Sequence, residues 1–166
     1  MPFDPSRRLA LKTGAAAIAT LATSKSLLAE TSHEVQMLNA HPEDRRARQV
    51  FFPRIMVVEA GDTVNFVSTD KGHNSVAKEG MYPEGVEGWE SKINDDIAVT
   101  FDKPGFYGYE CVPHATLGMV GLVIVKGEGM MDNLEAAQSV RQRGKARSVW
   151  EEIWEEVAAM EADLTA

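Results

Sequence analysis

From residue 34 to residue 126 apolar and polar side chains alternate in short runs, and turn residues separate the runs. Glu34 to Asn39 sets Val35 and Met37 two apart, a period-two pattern that predicts a strand. Val50 to Phe52 and Ile55 to Glu59 are rich in β-branched and aromatic residues but are interrupted by Pro53. Proline has no N–H for a ladder, so an edge or kinked strand is predicted there. Ala60-Gly61-Asp62 is a turn, and Thr63 to Ser68 alternates again. Asp70 to Gly88 is polar, carries Pro83 and Gly85, and reads mostly as loop. Ile97, Val99 and Phe101 mark a further strand. Lys103-Pro104-Gly105 turns the chain into Phe106 to Cys111, and Val120 to Val125 is an apolar strand closed by Gly127. Short strands at such spacing predict one antiparallel sandwich or barrel.

Beyond residue 128 the period changes. Asp132 with Glu135 three residues later resembles a capping box, and Leu134, Ala137 and Val140 follow at helical spacing, with Gly144 as the stop. Lys145 to Leu164 predicts a second helix. Val149, Ile153, Val157 and Met160 form its apolar stripe, widened by Trp150 and Trp154, while Glu151, Glu152, Glu155 and Glu156 face water. The expected division is therefore a β domain over residues 30–128 and a helical extension over 129–166.

The first residues carry a different signal. Ser6-Arg7-Arg8-Leu9-Ala10-Leu11-Lys12 precedes an Ala-rich run from Gly14 to Ala22. That run is short of the roughly 20 apolar residues a spanning helix needs. A basic start, a short apolar centre and small residues afterwards predict an export signal over residues 1–29. The paired arginines favour the twin-arginine route. Cleavage is plausible after Ala22 or Ala29, with Ala29 favoured, and the periplasm is the expected destination. Removing residues 1–29 takes away four cations and one anion, so the formal charge moves from −8 to −11. Such a chain repels phosphate, which argues against nucleic acid as a partner. No other stretch is apolar enough to anchor the mature chain in a membrane, and a monomer is expected.

The chain has one cysteine, Cys111. Exported proteins usually use cysteines in pairs, so its surroundings carry the chemistry. Cys111-Val112-Pro113-His114-Ala115-Thr116-Leu117-Gly118-Met119 places a thiol, an imidazole and a thioether within one hairpin loop. His73 follows another strand in Lys71-Gly72-His73-Asn74. Taken singly, each has an ordinary explanation: a buried thiol, a surface histidine, a core methionine, a turn residue. Taken together they are the donor set of an electron-transfer copper site, His₂Cys with a weak axial Met. Thiolate and thioether favour Cu(I), and imidazole suits both states. Pro113 has no N–H to offer the sulfur. Asn74 is well placed to tie the two ligand loops together and to offer its backbone N–H to Cys111.

These residues lie in a chain that resembles the pseudoazurins from about Glu34 to Met160. The matching stretches are Glu34 to Asn39, Ala60 to Val64, Asp70 to Asn74, Pro83 to Gly85, Ser91 to Asn94, Lys103 to Gly105 and the Cys111 to Met119 loop. The two helices after the β domain also fit that family and argue against plastocyanin or amicyanin. The resemblance implies a mainly β, cupredoxin-type, eight-stranded Greek-key sandwich or barrel with two C-terminal helices. It implies one type 1 copper ion held by His73, Cys111, His114 and Met119, cycling between Cu(I) and Cu(II). It also implies partners among periplasmic redox proteins of denitrification: copper or haem nitrite reductase and nitrous oxide reductase. Four features depart from the family pattern. Glu110 stands where Lys is common, Val112 where Thr is common, and Gln49 where a methionine often lies against the exposed histidine. The His41 to Arg48 segment is longer and carries Arg45, Arg46 and Arg48. The lysine ring through which the family docks is sparser, with Lys71, Lys78, Lys92 and Lys103 as candidates.

Three functions compete on this basis. An electron carrier needs one rigid site with an exposed edge, expected at His114 within a collar of Pro113, Ala115, Thr116 and Leu117. A periplasmic copper chaperone or store needs an exposed Met- or Cys-rich site, and the eight methionines are scattered. A copper enzyme needs a second centre, yet only His33 and His41 remain. The carrier is the expected function.

Overall fold

The structure, a computed structural model, describes residues 31–164. The export signal expected over residues 1–29 lies outside the described residues. Eight strands run in chain order: β1 (Ser32–Ala40), β2 (Arg48–Phe52), β3 (Ile55–Glu59), β4 (Thr63–Val67), β5 (Val76–Ala77), β6 (Ile97–Thr100), β7 (Gly105–Glu110) and β8 (Val120–Lys126). They form two four-stranded sheets, ordered β2-β1-β4-β6 and β3-β8-β7-β5. The chain crosses from the first sheet to the second between β2 and β3, at Pro53 and Arg54. Both flanking strands are sheet edges, as the proline demands.

The sheets are mixed, which corrects the antiparallel expectation: β1 runs parallel to β4, and β3 runs parallel to β8. Period-two alternation reports which face a residue occupies and is silent on strand direction. The excursion of β3 into the second sheet returns β4 beside β1 in the same sense. The two-residue β5 sits inside the segment expected to be loop, pairing with Tyr109 and Glu110 of β7.

β7 and β8 explain why the sequence there is apolar without a break. Tyr107, Tyr109, Cys111, Met119, Val123 and Val125 face the space between the sheets, together with Phe51, Phe66 and Phe101. The alternate residues Phe106, Val120, Leu122 and Ile124 face outward, into a second core closed by the helices. Strands covered on both faces need apolar residues at every position. The outer cover is α2 (Ala146–Leu164), whose Trp150, Ile153 and Val157 are buried. Arg54 forks from the edge of β3 to Glu152 and Glu156 and ties the helix down.

The entry to the helices differs from the capping-box reading. A 3₁₀ turn covers Met130–Asn133 and contains Asp132. The short α1 (Leu134–Ser139) follows from Asn133, which makes no side-chain cap. The Asn133 amide is engaged elsewhere, accepting from the Phe106 N–H at 2.9 Å and donating to the Phe106 carbonyl at 2.8 Å. Gly144, expected to stop α1, lies five residues beyond its end, in the connection to α2.

Candidate metal centre

The β7–β8 ladder ends at the pair Glu110 and Val120. One position further on, the Cys111 N–H donates to the Met119 carbonyl at 3.0 Å. Continued alternation turns both side chains into the inter-sheet core, where both are fully buried. Between them Val112–Leu117 winds into a 3₁₀ helix started by Pro113. Gly118 closes it with φ at +96° and donates to the Ala115 carbonyl. The tight turn lifts His114 back over Cys111, with its backbone N–H on the Cys111 carbonyl at 3.0 Å.

His73 arrives from the loop before β5 and is also fully buried. Its Nδ1 lies 3.7 Å from Cys111 Sγ and 3.2 Å from His114 Nδ1, and His114 Nδ1 lies 3.4 Å from the sulfur. Three donors about 2.0–2.3 Å from one ion in their own plane would stand about 3.5–3.8 Å apart. The observed triangle is close to that size, so the donor set fits a copper ion with little rearrangement. Its residues also suit the metal in kind: two imidazoles and a thiol, with a thioether from Met119 in the same buried cluster.

The surroundings fix each donor. His73 Nε2–H donates to Asn39 Oδ1 at 3.1 Å, which leaves Nδ1 free as the metal-facing nitrogen. The Asn39 N–H in turn donates to Asp70 Oδ2 at 2.7 Å. Asn94 holds the other side of the His73 loop, accepting from the Gly72 N–H at 2.7 Å and donating its own N–H to the His73 carbonyl at 2.8 Å. Asn74 joins the two ligand segments: its Oδ1 accepts from the Val112 N–H at 2.9 Å and its Nδ2 donates to the Ser91 carbonyl at 3.3 Å.

Burial and the facing His114 ring hold His73 below its ordinary value, with Asp70 opposing them. The neutral imidazole, the form a metal requires, is thereby favoured. Burial pushes the Cys111 thiol up, while the backbone N–H groups of Asn74 and His114 stabilise the thiolate and pull it back. Metal binding there is coupled to release of the thiol proton.

Of the residues singled out from the sequence, His73, Cys111 and His114 have ligand atoms within 4.8 Å of one another. Met119 is joined to Cys111 through its backbone, Asn74 bridges the loops, and Pro113 starts the turn. His33 and His41 lie elsewhere: His33 bonds Asp62 at 3.0 Å, and the His41 ring packs edge-on against Phe52. Asn39, Asp70 and Asn94 were not singled out as site residues. All three fall within the stretches that resemble the family, but taken alone each is a polar residue at a strand end or in a turn, which many positions share.

Cations also collect near the ligand loop, Arg141, Arg143 and Lys145 joining the Arg48 and Lys78 already singled out. Arg141 and Arg143 of the α1–α2 connection border a cleft beside Ala115 and Thr116, together with Lys78. Arg48 and Lys145 border a groove that Leu117 also lines. Lys78 is paired with Glu110 at 2.5 Å. Lys103 sits before β7, at the end remote from Cys111, and donates to the Glu84 carbonyl.

The fold and donor triangle define a cupredoxin with a cysteine-centred copper site. The family described as copper binding proteins of the plastocyanin/azurin type matches residues 38–126. The pseudoazurin of Paracoccus pantotrophus is 46% identical over 133 residues, covering 80% of this chain and 88% of that one. The crystal structure of pseudoazurin from Methylobacterium extorquens superposes with a TM-score of 0.69 at 36% identity, over 76% of this chain and 98% of that one. Pseudoazurin from Hyphomicrobium denitrificans gives 0.66 at 34% identity, over 74% and 94%. The chain therefore belongs to the plastocyanin/azurin family of copper proteins and, within it, to the pseudoazurins.

Proposed function

We propose that this chain is a periplasmic one-electron carrier that binds copper through His73, Cys111, His114 and Met119 and delivers electrons to denitrification enzymes such as nitrite reductase. The observation that carries the reading is the donor triangle itself. It is buried at His73 and Cys111, sized for one ion, and held by hydrogen bonds from separate chain segments. Copper bound there supplies one-electron chemistry between Cu(I) and Cu(II). The protein's part is to keep the donors in place in both states, so that little rearrangement accompanies each transfer. Asn39 and Asn74 do this by fixing the His73 loop to β1 and to the Cys111 loop, and Asn94 by fixing it to the segment before β6. The runner-up, a copper chaperone or store, needs donors from which metal is readily released. His73, Cys111 and Met119 are fully buried, which favours retention.

His114 is the half-buried member and the exit toward a partner. Val112 and Leu117 flank it, 57% and 54% exposed, two of the four large apolar side chains exposed among the described residues. An apolar rim desolvates easily and suits a small, transient contact. Exposed cations line the loop beside it on an otherwise acidic protein, Arg141 and Arg143 next to Ala115 and Thr116, and Arg48 and Lys145 in the groove that Leu117 shares with Asp44, Glu152 and Glu156. An acidic partner surface is favoured, with charge steering the encounter.

The test is the visible absorption and EPR spectrum of the Cu(II)-loaded protein beside Cys111→Ala. An intense thiolate-to-copper band with small hyperfine splitting, lost in the variant and bleached reversibly by ascorbate, is expected. A pale spectrum indifferent to Cys111 would return the metal-handling reading to the front.

A further inference from the structure

The ligand loop is backed on its outer side at two points, by the residues leading into α2 and by the helix itself. The Lys145 N–H donates to the Thr116 carbonyl at 2.9 Å. Gly144, with φ at +59°, comes so close that a Cβ there would stand 2.5 Å from the same carbonyl oxygen. Two residues along the loop, a Cβ on Gly118 would stand 2.9 Å from Val149 Cγ2 and 3.4 Å from Lys145 Cγ. Both approaches depend on a glycine, one on each partner. They grip the stretch from Thr116 to Gly118, which lies between His114 and Met119. That stretch belongs to a hydrogen-bonded unit, since Gly118 N–H donates to the Ala115 carbonyl at 2.9 Å and Met119 N–H donates to the His114 carbonyl at 3.2 Å.

The helix that makes the grip is itself immobilised. Trp150, Ile153 and Val157 bury its inner face, and Arg54 clasps Glu152 and Glu156 on its flank. A loop exposed on its outer side ordinarily moves on nanosecond to microsecond timescales. Here the outer side rests on a 19-residue helix.

We propose that the start of α2 and the two residues leading into it are a positioning element for the copper site, with Gly144, Lys145 and Val149 fixing the separation of His114 from Met119. This rests on the copper reading above. Neither Gly144 nor Val149 is a ligand in that reading, and they act only through the backbone of the ligand loop. In Gly144→Ala the new methyl drives the Thr116 carbonyl and the helix start apart. The displacement reaches His114 and Met119 through the 3₁₀ turn.

The experiment uses the copper-loaded protein and its electron self-exchange, with Gly144→Ala, Val149→Ala and Val157→Ala as variants. Val157 is buried on the same helix about two turns further on. Gly144→Ala is expected to shift the thiolate-to-copper absorption and the copper hyperfine splitting and to slow self-exchange. Val149→Ala should move the same signals by less. Val157→Ala should lower the melting temperature and leave the spectra unmoved. If Gly144→Ala does not fold, the contrast of Val149→Ala with Val157→Ala decides. Variants that melt earlier but keep the wild-type spectrum and self-exchange rate would overturn the inference, leaving α2 a purely stabilising cover. A wild-type protein without a thiolate band would instead sink the copper reading and this inference with it.

Discussion

Replacing Asn74 by alanine removes a side chain that bonds both the Cys111 loop and the Ser91 segment. Two hydrogen bonds vanish, the 2.9 Å bond from the Val112 N–H and the 3.3 Å bond to the Ser91 carbonyl. A neutral hydrogen bond contributes about 0.5–1.5 kcal/mol net, and a buried group left unpaired adds about 1–3 kcal/mol. The Val112 side chain is exposed, so water relieves part of the penalty at its N–H, whereas the Ser91 bond is buried. With that relief and the long 3.3 Å bond, the expected loss is at the low end of the sum, about 2–3 kcal/mol. In a domain of this size that lowers the melting temperature by about 6–9 °C. Urea unfolding followed by the fluorescence of Trp89, Trp150 and Trp154 measures it directly. The Asn74 backbone N–H survives the substitution and still faces the sulfur, so the thiolate-to-copper band should persist. A loss below about 0.5 kcal/mol, the range of an inconsequential surface change, would refute the account of Asn74 as the tie between the ligand loops.

Two further outcomes follow from charge. Burial pushes Asp62 up, but hydrogen bonds from the Thr31 N–H, His33 and the Glu59 N–H outweigh it and leave the carboxyl below its ordinary value. A carboxyl held down by folding stabilises the protein above the unfolded value of about 3.9 and loses that contribution as pH falls through the lower folded value. Urea midpoints between pH 6 and pH 2 should therefore fall at the acid end, and less steeply in Asp62→Asn; parallel curves would count against it. Charge reversal at Arg141→Glu with Arg143→Glu should slow oxidation of the reduced copper protein by hexacyanoferrate(III), about tenfold at low ionic strength. The difference should shrink as salt rises. A rate equal to wild type at low salt would remove the α1–α2 connection from the docking surface.

The candidate donors stood out in the sequence because three of them share one nine-residue loop, and a lone cysteine in a chain with an export-type start narrows the choice sharply. Asn39 did not, because it reaches the His73 loop from β1 across 34 residues, and a polar residue ending a strand gives no hint of what lies beyond it. The strands were legible wherever one face is buried. Their direction was not, and β5 is too short to show a period. The reading of Asp132 as a helix start failed because Asn133 bonds the Phe106 backbone and the turn there tightens into 3₁₀. Gly144 was read as a stop because glycine so often ends a helix. The reason for it lies in a carbonyl 28 residues earlier, which no local pattern contains.

β7 and β8 form a party wall between two interiors. In β4 a substitution at Asn65 touches only the wetter side and leaves Val64 and Phe66 alone. No such refuge exists from Phe106 to Tyr109 or from Val120 to Val125, where every position borders one packed interior or the other. A substitution is therefore more easily accommodated on the wetter side of the other sheet or in the turns. The two strands that deliver Cys111 and Met119 are held nearly invariant in shape by the need to fill both rooms at once.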